Sequence, residues 1–301
     1  MSSDTTRGKL QVVLAAGKST KLRRLLVATI GGCGAAVLVA RGLTALPNAP
    51  LAPTRILVDG SQRHQAMDGF GVQIDSSRWN GGELAPALDL LVEDLGATLF
   101  RVSVAGDAWE GTNDNGDPNT FDWAYYSGAS ASPRAEALWS TLDYLNQKGV
   151  TTGIVLAVEG RVPAWMGGTR IDVSAEDEWV EMIASLVHYA RVNRNLKFSR
   201  LSPLDEPDGD GRRGPRVGEV QTVRLLRKLA RRLDADGLGD VRLVAPRMVA
   251  ARIAVQRYIP RLLADRVLMA RLEAFVLDHD AGLARDAEAL IGGSADRDRK
   301  V

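Results

Sequence analysis

From residue 54 onward, short runs rich in β-branched and apolar residues alternate with stretches whose apolar positions recur at helical spacing. Leu84, Leu88, Leu91 and Leu95 fall at offsets of four, seven and eleven, and Trp179, Ile183, Leu186 and Ala190 repeat those offsets. Each set marks one face of an amphipathic helix. The runs at 55–58, 69–74, 98–104, 152–158, 198–204, 241–245 and 273–277 are expected strands. Apolar strands separated by helices indicate a parallel sheet covered by helices. Both an open doubly wound sheet and a closed (β/α)8 barrel satisfy the pattern, but no Gly-x-Gly-x-x-Gly turn follows an early strand, so the dinucleotide-binding form loses its main support.

The amino terminus breaks this rhythm. Lys21, Arg23 and Arg24 precede sixteen residues without a charge, Leu25 to Ala40. As helix this run reaches about 24 Å, short of a roughly 30 Å hydrocarbon core unless it extends past Arg41 to Leu46. Basic residues ahead of the run favour a cytoplasmic amino terminus and a body delivered outside. No clean cleavage site follows, since Ala45 and Ala49 are weak candidates and prolines at 47, 50 and 53 mark a linker. A signal peptide and an uncleaved hydrophobic membrane anchor both remain open. Residues 1–53 are therefore expected to be the targeting segment and linker, and residues 54–301 the body, secreted or held at the membrane outside the cytoplasm. The stretch Leu10 to Leu22, with its Gly17-Lys18-Ser19-Thr20 turn, is similar to the nucleotide loop of sugar-phosphate nucleotidyltransferases. An export-type segment follows it here instead of a doubly wound domain, so chance similarity is favoured.

Composition narrows the function. Of 301 residues 45% are hydrophobic, enough for a substantial core, and the net charge is +1. Residues 1–50 hold seven Lys or Arg against Asp4, leaving 31 basic (38 less 7) and 36 acidic (37 less 1) in the rest. A slightly acidic body argues against nucleic acid as a partner. Arg224, Arg227, Lys228, Arg231 and Arg232 cluster, but they interleave with Leu225, Leu226, Leu229 and Leu233 as the solvated face of a helix would. The single cysteine, Cys33, lies in the uncharged run, so the body has no disulfide and no thiolate metal site. The loop Asn113 to Asp117 has calcium-ligand character but no downstream EF-hand glutamate, and a plain turn is expected. No metal or cofactor is expected.

Glu206 stands between two prolines and beside Asp205, just past an expected strand. Burial and a like-charged neighbour raise a carboxyl pKa toward the range where it can donate a proton. Phe198 to Pro207 resembles the end of the fourth barrel strand in clan A glycoside hydrolases, where an Asn-Glu-Pro triplet carries the acid/base glutamate. Gln65 to Gly71 is similar to the entry to the first strand in glycoside hydrolase family 30. Arg101, in Leu99 to Ser103, is similar to that family's strand-two arginine, and Val162 to Met166 to its loop after strand three.

This resemblance implies a (β/α)8 barrel and a retaining glycosidase with two carboxylates about 5 Å apart, acting on a β-linked glycan or glycoside. Glu206 would be the acid/base, and Arg101, Trp165, Asp205 and His279 would bind the carbohydrate. Asp75, Asp107, Trp109 and Glu159 also fall at expected carboxyl ends of strands, where barrel enzymes carry their chemistry. Trp79, Trp109, Trp123 and Trp165 are each either sugar platforms or core. Two departures stand out. Asp205 replaces the family's asparagine, and only about six strands can be read, with no strand-plus-glutamate pattern after residue 277. The barrel is expected to be incomplete, and the alternative is a relative that binds carbohydrate without cleaving it.

Overall fold

The computed structural model describes residues 11–13, 55–57, 61, 69–276 and 289–290. The chain divides into two compact units, Met1–Ala66 and Met67–Val301. In the first, Gln11–Val13 pairs antiparallel with Arg55–Leu57. The segment 25–40, Cys33 and His279 lie outside the described residues, and among the described ones no helix is long and apolar enough to cross a membrane.

The second unit is built on six parallel strands: β1 (Gly71–Asp75), β2 (Leu99–Ala105), β3 (Ile154–Glu159), β4 (Arg200–Ser202), β5 (Arg242–Val244) and β6 (Leu272–Ala274). Their order in the sheet is their order in the chain. A doubly wound sheet reverses its strand order partway, whereas a barrel never does. Between strands run α1 (Ala85–Asp89), α2 (Trp123–Ser130), α3 (Pro133–Gln147), α4 (Glu176–His188), α5 (Glu219–Ala235), α6 (Ala251–Ile253), α7 (Ile259–Leu263) and α8 (Arg266–Met269).

Register explains how the two faces differ. Ile74, Val102, Leu156, Leu201, Leu243 and Leu272 are successive partners across all six strands, and every one is buried. Side chains alternate across a pleated sheet, so this apolar row packs under the helices while its neighbours point the other way. Those neighbours include the row Gln73, Arg101, Val155, Arg200, polar at three of its four positions. Gln73, Arg101, Val155, Arg200, Val244 and Glu273, one from each strand, line a common cavity of about 430 Å³. The sheet therefore curls around a shared interior, as a barrel sheet does.

Helix faces follow the sequence where the backbone stays regular. In α5 the leucines 225, 226, 229 and 233 are buried, while Arg224 pairs with Glu176 and Arg227 with Asp265. In the first helix the α geometry gives way to a π turn over Leu90–Asp94. Before and within the π turn the stripe holds, with Leu88 fully buried and Leu91 against the core, and past the turn Leu95 is exposed. β4 is shorter than its apolar run because Pro203 has no N–H to extend the ladder.

Candidate active site

Arg101 projects from the middle of β2, on the face opposite the apolar row, and its guanidinium spans two strands. Nη1 pairs with Glu159 at the end of β3, and Nη2 lies 3.2 Å from Asp205 Oδ1 beyond the end of β4. Glu159 also accepts from Gln73 Nε2 at 2.8 Å. From beyond β5, Arg247 places Nε 3.3 Å from Asp205 Oδ1 and Nη2 3.0 Å from Asp205 Oδ2. Asp205 is 0% exposed, and two guanidiniums occupy its oxygens. Its carboxylate thus orients Arg101 and Arg247 and does not face a ligand.

This geometry accounts for aspartate where the resemblance has asparagine. An amide would turn its NH2 toward one of two converging guanidiniums, donor against donor, whereas a carboxylate accepts from both.

Arg247 also reaches Glu206, with Nη2 at 2.9 Å from Oε1, and Arg213 Nη1 stands 3.8 Å from the same oxygen. The Glu206 carboxyl is nevertheless pushed above its ordinary value: burial dominates, Arg247 opposes it, and the Asp205 charge adds to it. The backbone at Glu206 is left-handed, with φ of 42°. A residue with a Cβ is strained there by roughly 1–2 kcal/mol. It is held by two bonds, its N–H to Arg247 O at 2.8 Å and its carbonyl from Gly209 N–H at 2.9 Å. Asp205 and Arg247 also form a single parallel bridge that continues the β4–β5 pairing.

The loop bearing Arg213 packs directly on this corner. Arg213 O accepts from Gly160 N–H at 2.6 Å, and a Cβ added at Gly214 would sit 1.6 Å from Asp205 O. Gly214→Ala is expected to cost about 3 kcal/mol by forcing backbone from backbone. An unchanged midpoint in denaturant unfolding would contradict that contact. Arg213 then lines a cleft of about 270 Å³ with Asp75, Ser103 and Glu159.

The structure thus brings Arg101, Asp205 and Glu206 together. Trp165 is partly buried and donates its indole N–H to Glu110 O at 3.3 Å, with no bond to that trio. His279 lies outside the described residues. Trp109 is core: it is 4% exposed, stacks on Tyr126 at 5.4 Å and meets Trp139 edge-on at 5.8 Å. Asp75 caps the turn after β1 by accepting from Ser77 N–H at 3.0 Å. In the Asn113–Asp117 loop, Asn115 and Asp117 accept from nearby backbone N–H groups, as a plain turn requires. Arg247 and Arg213 were not singled out from the sequence. Arg247 follows the fifth strand by three residues, a position that the rule of strand carboxyl ends covers.

No family model matches the chain, and no curated protein matches it. Solved structures do. The chain is similar to a glycoside hydrolase family 30 subfamily 8 xylanase from Clostridium acetobutylicum, with 17% identity and a TM-score of 0.52 over 76% of this chain and 55% of that one. It is similar to SrfJ from Salmonella typhimurium, with 16% identity and a TM-score of 0.58 over 78% and 56%. It is also similar to an endo-β-1,6-glucanase, with 15% identity and a TM-score of 0.60 over 82% and 61%. The chain spans a little over half the length of each. At these identities the likeness is one of fold, and the fold is the α/β barrel type of glycoside hydrolases.

Proposed function

We propose that the chain binds carbohydrate and hydrolyses a β-linked glycoside, with Glu206 as the proton donor to the leaving oxygen. One observation carries this reading. A glutamate at the carboxyl end of β4 is held in a strained left-handed backbone, and burial keeps its proton beyond the ordinary carboxyl range. Barrel enzymes place catalytic side chains at that end of their strands, and the similar solved structures include a xylanase and a β-1,6-glucanase.

The surrounding residues suit the task. Arg247 and Arg213 stand on one side of Glu206 and would steady the anion left after proton transfer. A retaining reaction needs a second carboxylate about 5 Å from the first, and an inverting one needs it farther, with room for water. Asp75 and Glu159, which line the cleft with Arg213, are its described carboxylates. The basic and then uncharged amino-terminal segment supports delivery of the body outside the cytoplasm, where polymeric glycans lie.

A panel of aryl α- and β-glycosides offered to the purified full chain tests the reading. The expected result is release from at least one β-glycoside, and from Glu206→Gln a loss that deepens as the leaving group becomes poorer. Sugar binding without release, or cleavage of α-glycosides alone, would contradict it.

A further inference from the structure

Four carboxyls converge where the segment after β2 packs on α4. Glu110 is fully buried, with Oε2 accepting from the Tyr126 hydroxyl at 2.8 Å and Oε1 from Asp114 N–H at 3.4 Å. Glu181, on α4, is 0% exposed, and its oxygens meet no hydrogen-bond donor other than a proton shared with the Glu178 carboxyl. Glu178 Oε2, one turn earlier, and Asp114 Oδ1 are also buried without partners. Among the described residues, no ion pair includes any of the four.

No described Lys or Arg pairs with them. The loop brings Asn113 beside Glu178, and α2 brings the Tyr126 phenol. From α4 come Asp177, Ser185, which accepts from Trp109 Nε1 at 2.9 Å, and His188, whose Nδ1 is buried and unpartnered. The nearest bases of α5 are engaged elsewhere. Lys228 pairs with Asp177 and Glu176, and Arg232 bonds Asp236 and Pro118 O while lying over the Phe121 ring.

A buried carboxylate with neither partner nor counter-ion is tolerated only when neutral. Among the described residues, no group of three or more acidic, His or Cys side chains is arranged to hold a metal ion. The ligand that fits the orphaned oxygens is the proton. We infer that Glu110, Glu178 and Glu181, beside Asp114, form a buried proton-binding site that clamps the β2–α2 segment onto α4 in acid and neutral solution and releases it in alkali.

Titration agrees in direction. Burial, against the Tyr126 bond, pushes the Glu110 carboxyl up to about 8. Burial, followed by the charges of Asp114 and Glu110, pushes Glu181 up to about 9. A carboxyl raised in the folded state binds its proton more tightly there than in the unfolded chain. Stability therefore falls as pH climbs from the ordinary carboxyl value of 4.5 toward 8 and 9, and levels off beyond. Release would reach the candidate site's surroundings, because Trp165 hangs from Glu110 O.

The test is Tm against pH for the full chain in buffer with chelator, beside Glu181→Gln and Glu178→Gln. From about pH 6 to about pH 9.5 the natural chain is expected to lose roughly 5 °C or more, Glu181→Gln less than half as much, and Glu178→Gln measurably less than the natural chain. Two variants guard against one that fails to fold. Parallel profiles in the natural chain and a folded variant would overturn the inference. So would a saturable Tm gain with added calcium at about pH 9 that Glu181→Gln abolishes, which would make the cluster a cation site.

Discussion

Asp205→Ala is expected to unfold the second unit or to cost it about 3–5 kcal/mol, the range found when one partner of a buried ion pair is removed. Asp205 is fully buried and takes bonds from Arg101 and Arg247, whose side chains are 17% and 19% exposed. Without its carboxylate, two mostly buried guanidiniums converge on an apolar gap. Burial already draws the Arg101 pKa down against the pull of Asp205, so the loss falls on a cation with little other support. Glu159 and Glu206 would keep one bond each to these arginines, so the expected loss is large but not total. Denaturant unfolding measures it, and Asp205→Asn should fall between the two because it keeps one acceptor. A loss below about 1 kcal/mol for Asp205→Ala, the range of exposed ion pairs, would show that the bridge is not structural.

Glu206→Gln carries the second large effect. A general acid contributes about 10²–10⁴-fold, so turnover of an unactivated β-glycoside should fall by at least about 10²-fold. Stability should move far less, since glutamine keeps the shape and can accept from Arg247. The pH profile has a defined sign. The donor works only while protonated, so activity should decline as pH rises through the Glu206 pKa. Burial places that decline above the ordinary carboxyl range. Arg247→Met removes the group that opposes burial and should move the decline to higher pH.

Much of the fold was legible because it rests on periodicity. Strand alternation and helical offsets report a buried face directly, and the row from Ile74 to Leu272 is that face seen across the sheet. Boundaries read less well where a single backbone event intervened, such as the π turn at Leu90 or Pro203 ending β4. In the candidate site, Glu206 and Arg101 were legible from local context. Arg247 lies three residues past β5 in a stretch with no local mark of its own, and its role follows only from Asp205 and Glu206 across the sheet. The buried state of Asp205 was not legible, because it depends on Arg101, 104 residues away, and Arg247, 42 residues away. Trp109 shows the converse: a tryptophan at a strand end has no sequence mark separating a sugar platform from core, and Tyr126 and Trp139 decide it.

The proton-donor role of Glu206 is tested most directly by leaving-group dependence. A dinitrophenyl glycoside departs with little need of a proton, whereas an alkyl or sugar leaving group depends on one. For Glu206→Gln the account predicts near-natural bond cleavage with the dinitrophenyl substrate in single turnover, and a loss of at least about 10²-fold with the unactivated one. Equal losses on both, or no loss on either, would contradict it.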